Sequence, residues 1–239
     1  MPRIRRGLGD DQLYHVINRG NGRANVFHKE EDYSAFTGIL GEAATRYPVR
    51  LFAYCLMPNH FHLLVSPHQA QQLSQWMQWL MTAHVRRYRV HYGGSGHVWQ
   101  GRYKGFLIQG DAHLLAVVRY VEGNSVRGGL APSAAAWPWS SHNETIGARP
   151  RVLTKPLPAE LPPNWTEYVD SPISGAELRK MRESVRRQTP YGDNSWQKSV
   201  SIAYHLEATL HPPGRPKKEL PADLGEPLSV PLGMILSGH

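Results

Sequence analysis

Met57-Pro58-Asn59-His60-Phe61-His62-Leu63-Leu64-Val65 contains a two-residue turn, Pro58-Asn59, followed by strictly placed imidazoles on a short apolar run. The turn joins two hairpin strands, Val49 to Met57 and His60 to Ser66. Successive strand side chains point to opposite faces, so His60 and His62 share one face. They lie roughly 6.6–6.8 Å apart along the backbone, close enough for both rings to converge on one divalent ion. Phe61, Leu63 and Val65 then face the core. Paired imidazoles opposite a buried face make a metal platform, which needs a third ligand and a nucleophile to do chemistry.

Outward from this hairpin the chain reads as alternating strands and helices. Leu13 to Asn18 is a strand running into a turn-prone basic loop, Arg19-Gly20-Asn21-Gly22. From Glu30 to Arg46, Tyr33, Phe36, Ile39, Leu40 and Ala43 recur at helical spacing. Leu73, Trp76, Met77, Leu80, His84 and Tyr88 mark a long amphipathic helix ended by Gly93-Gly94-Ser95-Gly96. Gly105 to Gln109 is a further strand. The order β-α-β-β-α-β-α predicts an α+β fold: a ferredoxin- or RRM-like antiparallel sheet with helices on one face, plus a small C-terminal helical appendage.

The last helix of that order, in Asp111-Ala112-His113-Leu114-Leu115-Ala116-Val117-Val118-Arg119-Tyr120-Val121-Glu122-Gly123-Asn124, carries the missing groups. Asp111 is a suitable N-cap, and the apolar run suits a helix buried on one side. Tyr120 and Asn124 are four residues apart, so a phenol and an amide share one helix face.

Composition narrows the partner. The 239 residues carry a formal charge of +8, which favours a polyanion, nucleic acid first and an anionic membrane surface second. No apolar run approaches a membrane span, and Met1-Pro2-Arg3-Ile4-Arg5-Arg6 precedes no apolar h-region, so a cytoplasmic protein is expected. Cys55, the single cysteine, excludes an internal disulfide and a cysteine-cluster zinc site; in an apolar strand it reads as a buried, inert thiol.

The His-hydrophobe-His stretch resembles that of single-tyrosine transposases, and more narrowly the chain resembles the REP-associated tyrosine transposases, which act on repetitive extragenic palindromes. The likeness continues through Tyr14-His15-Val16 with Asn18-Arg19-Gly20-Asn21, and through Gly96-His97-Val98-Trp99-Gln100-Gly101-Arg102-Tyr103-Lys104. It includes Arg119-Tyr120-Val121-Glu122-Gly123-Asn124-Ser125-Val126-Arg127, Trp139-Ser140-Ser141, and Pro190-Tyr191-Gly192-Asp193 with Trp196. The resemblance implies His60 and His62 as metal ligands, Tyr120 as nucleophile, Asn124 as the polar residue completing the metal shell, and Mg2+ or Mn2+ as cofactor with no organic cofactor. It departs at Gly123 and Asn124-Ser125-Val126-Arg127, where the pattern has a larger residue and then Asn-Pro-Val-Arg. Glycine weakens the last helical turn and loosens the placement of Asn124.

The implied activity is a metal-dependent single-strand DNA endonuclease and strand transferase. Tyr120 attacks a backbone phosphorus, leaving a 5′-phosphotyrosine and a 3′-hydroxyl. A free phenol has a pKa of about 10, so the site must ease its ionisation, with the ion and Lys104 as candidates. Single-stranded or hairpin DNA is the expected partner of a monomer or homodimer. Arg19, Asn21, Arg102, Lys104 and Arg127 are candidate DNA contacts beside the site, and Arg186, Arg187 and Arg215 farther along. A catalytically silent hairpin-binding regulator and an RNA-binding module are the competing readings.

The expected domains are a catalytic unit over 1–148, a Pro-rich linker over 149–172, a basic helical appendage over 173–219, and a disordered tail over 220–239. In the appendage Gly175 to Arg187 reads as a short basic helix, and Asp193 or Asn194 caps another carrying Trp196 and Val200, together resembling a helix-turn-helix. Gly214-Arg215-Pro216-Lys217-Lys218 has the form of a minor-groove arm.

Overall fold

The structure, a computed structural model, describes residues 9–110 and 112–211. The capping role of Asp111, the Arg215 arm and the tail lie outside the described residues. Four strands, β1 (Leu13–Arg19), β2 (Val49–Met57), β3 (His60–Pro67) and β4 (Lys104–Ile108), form one antiparallel sheet in the order β2-β3-β1-β4. The helices α1 (Glu30–Arg46), α2 (Ala70–Tyr92) and α3 (Ala112–Glu122) fall where the periodicity predicts them.

Alternation along the strands gives the sheet two faces. Tyr14, Val16, Leu56, Phe61, Leu63, Val65 and Leu107 point to the face covered by α1 and α2. Phe36 from α1 and Trp76 and Met77 from α2 fill that interface with no solvent exposure, and each such side chain stabilises the fold by roughly 1.5–3 kcal/mol. The expected α+β sheet is present, but one part of the expectation is corrected: helices cover both faces.

The reason lies in the strands themselves. Phe52, Ala53, Cys55, Leu64, Phe106 and Ile108 are apolar on the second face, and water would meet all of them if it were bare. Leu114, Val117, Val118 and Val121, spaced at i, i+3, i+4 and i+7, give α3 the matching apolar stripe, and it packs there. A register shift between Leu51 and Ala53 in β2 turns both Phe52 and Ala53 toward α3. The site reading requires this arrangement, because Tyr120 on a helix over the Phe61 face could never meet His60 and His62. It also leaves no bare sheet face for stacked bases among the described residues.

Cys55 is buried beneath α3, and burial pushes its thiol up to about 12. Beyond α3 follow α4 (Asn124–Arg127), α5 (His142–Thr145), α6 (Trp165–Asp170), α7 (Gly175–Arg187) and α8 (Asn194–Ala203). The proline-rich stretch before α6 runs along the core, with the Lys155 amide donating to the Leu51 carbonyl at 2.7 Å. Asp193 caps α8 through the Trp196 amide. The segment joining α7 to α8 pairs with β4: the Tyr191 amide donates to the Leu107 carbonyl at 2.8 Å, and the Gln109 amide to the Tyr191 carbonyl at 3.0 Å. This pairing sets α7 beside the sheet edge.

Candidate active site

The β1–β3 register sets Arg19 opposite His60, Ile17 opposite His62 and His15 opposite Leu64. All six side chains share the α3 face, because register and alternation are locked together. The His60 and His62 rings stand nearly perpendicular, 81° apart in plane and 5.1 Å between centroids. Behind His62, the His15 ring lies within 8° of parallel to it, centroids 4.9 Å apart, with its Nε2 2.7 Å from His62 Nδ1. His15 was assigned no role from sequence. The alternation of β1 was the signal that could have found it, since it places His15 on the histidine face.

Burial keeps these rings neutral. It pulls the His60 imidazole down to about 4, with Arg19 across the strand adding repulsion, and pulls His15 down to about 3, with Arg127 contributing. His62 is lowered well below its ordinary value by burial and then by its two histidine neighbours.

Tyr120 reaches this row from above. Its ring lies 5.6 Å from that of His62 and 6.0 Å from that of His15, edge-on to both. Two buried groups hold this end of α3. Glu122, fully buried, accepts from Ser141 Oγ at 2.8 Å, Thr145 Oγ1 at 2.5 Å, His142 Nδ1 at 2.9 Å and Trp165 Nε1 at 2.9 Å. Arg119 stacks over Tyr168 at 4.2 Å and donates to the Ser171 and Pro172 carbonyls. A buried carboxylate is tolerable only with such complete pairing, so α3 is tied to α5 and α6 at the turn that carries Tyr120.

The helix does not run on to Asn124 as the four-residue spacing assumed. It breaks at Gly123 (φ −80°, ψ 11°), and Asn124 opens α4 instead. The glycine has a packing cause: a Cβ there would sit 3.0 Å from the Arg119 carbonyl, the Val169 carbonyl of α6 and an Arg127 nitrogen. Arg127 occupies the space a larger residue would need. Its guanidinium lies 4.3 Å above the Tyr120 ring and donates to the Tyr120 carbonyl, one of the acceptors left open where α3 ends.

His60, His62, Tyr120 and Asn124 line one cleft of about 670 Å³. Of the expected DNA contacts, Arg19, Arg102, Lys104, Arg127 and Arg186 also line it. Asn21 and Arg187 do not; Asn21 is exposed in the loop after β1, and Arg187 pairs with Glu183 at 3.0 Å. Two further cations in the cleft, Arg23 and Arg182, were not singled out from sequence. Arg182 was one of five basic residues on α7, and only the pairing of Tyr191 with β4 decides which of them face the sheet. Another groove, about 620 Å³ beside α2 and lined by Met77, Met81, Val85 and Trp99, holds none of the imidazoles or Tyr120.

The donor set fits a divalent ion that takes its remaining ligands from phosphate and water. His60 Nδ1 donates to Asn59 Oδ1 at 2.7 Å and His62 Nδ1 is taken by His15, which leaves Nε2 of each ring for an ion. Asn124 Nδ2 is buried without a partner, so its amide is not committed elsewhere through that atom. Among the described residues no three His, Cys, Asp or Glu side chains gather into a metal-holding group. No helix of the described residues is long and apolar enough to cross a membrane.

The paired imidazoles and the helix tyrosine lie within residues 10–124, which match the family described as "Transposase IS200 like". A Haemophilus influenzae protein named as a REP-associated tyrosine transposase is 28% identical over 129 residues, which are 49% of this chain and 73% of the relative. Among solved structures, a REP-associated tyrosine transposase bound to a REP hairpin superposes with a TM-score of 0.53 at 17% identity, over 73% of this chain and 96% of that one. That likeness establishes the shared fold.

Proposed function

We propose that this protein is a member of the IS200-like transposase family and acts as a metal-dependent single-strand DNA endonuclease and strand transferase on repetitive extragenic palindromic hairpins, through a 5′-phosphotyrosine intermediate. The observation that carries the reading is the approach of the Tyr120 ring to 5.6 Å from His62, itself 5.1 Å from His60, inside one cationic cleft.

Tyr120 Oη loses its proton and attacks the scissile phosphorus; the new Oη–P bond forms as the P–O3′ bond breaks, and the departing oxygen takes up one proton from solvent to become a 3′-hydroxyl, which balances the one the phenol gave up. Mg2+ or Mn2+ held by His60, His62 and Asn124 would polarise a non-bridging oxygen and offset its charge. Arg127 puts positive charge beside the attacking ring, and Arg19, Arg102 and Lys104 fix the backbone on either side. Because the phosphotyrosine keeps the energy of the phosphodiester, an incoming 3′-hydroxyl reverses the step and transfers the strand without a nucleotide cofactor. The hairpin reading is supported by the REP hairpin bound in the superposed structure and by the name of the Haemophilus influenzae relative. The paired Arg182 and Arg186 of α7, on the far wall of the cleft, suit recognition of a folded stem by its phosphates.

Incubating the full chain with Mg2+ or Mn2+ and a REP hairpin oligonucleotide carrying a single-stranded flank should give a protein–DNA adduct that survives denaturation. Tyr120→Phe should form none, and EDTA should abolish it. Tight hairpin binding with no adduct from the unaltered chain would convert the reading to a DNA-binding regulator.

A further inference from the structure

The buried His15 has no part in the chemistry above, yet it makes the one hydrogen bond available to the inner side of His62. Its Nε2 is 2.7 Å from His62 Nδ1, the rings lie 8° from parallel, and Phe106 and Tyr120 close against it edge-on at 4.9 and 6.0 Å. It is fully buried and does not line the cleft, so it is not placed to serve as a third ligand.

Proton placement follows from valence. An imidazole that offers its Nε2 lone pair to a cation carries its hydrogen on Nδ1. For His60 that hydrogen is held by Asn59 Oδ1, an oxygen that can only accept. For His62 the corresponding partner is a second imidazole nitrogen, which accepts only when the partner's own hydrogen is on the other side. With the hydrogen on His15 Nε2 instead, His15 would donate, His62 Nδ1 would accept, and His62 would turn an N–H toward the cleft where a lone pair is needed. His15 Nδ1 is buried with no partner, so no other protein group opposes the arrangement an ion on His62 Nε2 requires, in which the hydrogen sits on His62 Nδ1 and His15 Nε2 accepts it.

We propose that His15 is a positioning residue: by accepting from His62 Nδ1–H it fixes the tautomer and the ring plane in which His62 Nε2 binds the divalent ion. The two-nitrogen contact, more than the burial of either ring, carries the assignment. This inference rests on the ion-holding role of His60 and His62 given above, and the test separates the two.

Mn2+ binding to the full chain is titrated by calorimetry in the absence of DNA, for the unaltered protein and for His62→Ala, His15→Phe and His15→Gln. Phenylalanine keeps the ring volume and removes the acceptor; glutamine restores an acceptor oxygen near the position of Nε2. Loss of such a supporting partner typically weakens metal binding by about 10–100-fold, so His15→Phe should fall in that range and His15→Gln within about threefold of the unaltered chain. In parallel, two-bond 15N–1H spectra of the Mg2+-loaded protein should place the hydrogen on Nδ1 in both His62 and His15. Unchanged Mn2+ affinity in folded His15→Phe, or a hydrogen on His15 Nε2 in the Mg2+-loaded spectra, overturns the proposal while leaving the ion site standing. If the unaltered protein takes up no Mn2+, or binds it equally after His62→Ala, the ion site itself falls and His15 with it. Should His15→Phe fail to fold, the spectra of the unaltered protein still decide the proton arrangement.

Discussion

The two faces of the sheet each bury an apolar cluster and do different work. Against α1 and α2 the contacts are rings and branched chains: Phe27, Phe36, Phe61, Trp76 and Trp99, with Leu63 and Val65 between. Against α3 the same strands bury His15, His62 and, at the helix end, Arg119 and Glu122. His84 sharpens the contrast. It is a buried imidazole on the first face, pulled down to about 4 by burial, and its neighbours are Phe27, Phe36 and Trp99 at 5.2–5.5 Å. Depth and a lowered pKa are thus common to His84 and His60, and both have charged neighbours; what separates them is that His60 shares its cleft with a second imidazole and Tyr120. The apolar face supplies the free energy that lets the other hold groups a small core would otherwise expel.

The widest separation between the faces should appear in a pair of single substitutions. Tyr120→Phe removes one hydroxyl at the cleft wall; adduct formation should drop by at least about 10⁴-fold, since among the described residues no other tyrosine, serine, threonine or cysteine lines the cleft. Its free energy of unfolding in urea should stay within about 1 kcal/mol of the unaltered chain. Phe36→Ala opens a void in the fully buried α1–sheet interface and should cost about 3–5 kcal/mol. A Tyr120→Phe protein as unstable as Phe36→Ala would erase the distinction.

A smaller effect tests whether the chemical face has its own structural framework. Glu122 receives four donors, and Glu122→Ala leaves Ser141, Thr145, His142 and Trp165 without their acceptor in a site closed to water. We expect a loss of about 3 kcal/mol in equilibrium unfolding, together with weaker adduct formation as the end of α3 loosens. Gly123→Ala should cost roughly 1–3 kcal/mol, because two of the three atoms 3.0 Å from the new methyl are backbone carbonyl oxygens, which have little room to retreat. A neutral Gly123→Ala would mean that α6 slides freely over α3.

How far the sequence could be read follows the same division. Period-two and period-3.6 patterns set the elements of the apolar face almost to the residue, since only one side of each was in question: α1 covers Glu30–Arg46 and β2 covers Val49–Met57 as read. The second helical layer was missed because Phe52, Cys55 and Phe106 read as core without saying that there are two cores. His15 escaped because a single histidine in a strand carries no signal until its register with His62 is known. The break at Gly123 was visible as a weak helix former, but its cause, the Val169 carbonyl about fifty residues on, is a tertiary contact that no local pattern contains.

The smallest predicted difference concerns two adjacent cations on α7. Arg186 lines the cleft, while Arg187 leans away and pairs with Glu183 one turn back, at 3.0 Å. Arg186 is exposed and its alanine variant should unfold within about 0.5 kcal/mol of the unaltered chain, whereas the Arg187 side chain is only 13% exposed and its removal should cost about 1 kcal/mol through lost packing. They should separate in the salt dependence of hairpin binding. Each phosphate contact removed lowers the slope of log K against log salt by close to one, so Arg186→Ala should flatten the line by about that amount and Arg187→Ala should leave it unchanged. Equal slopes for the two would mean that DNA passes α7 along its outer surface, and that the wall of the cleft formed by Arg182 and Arg186 faces something other than the stem.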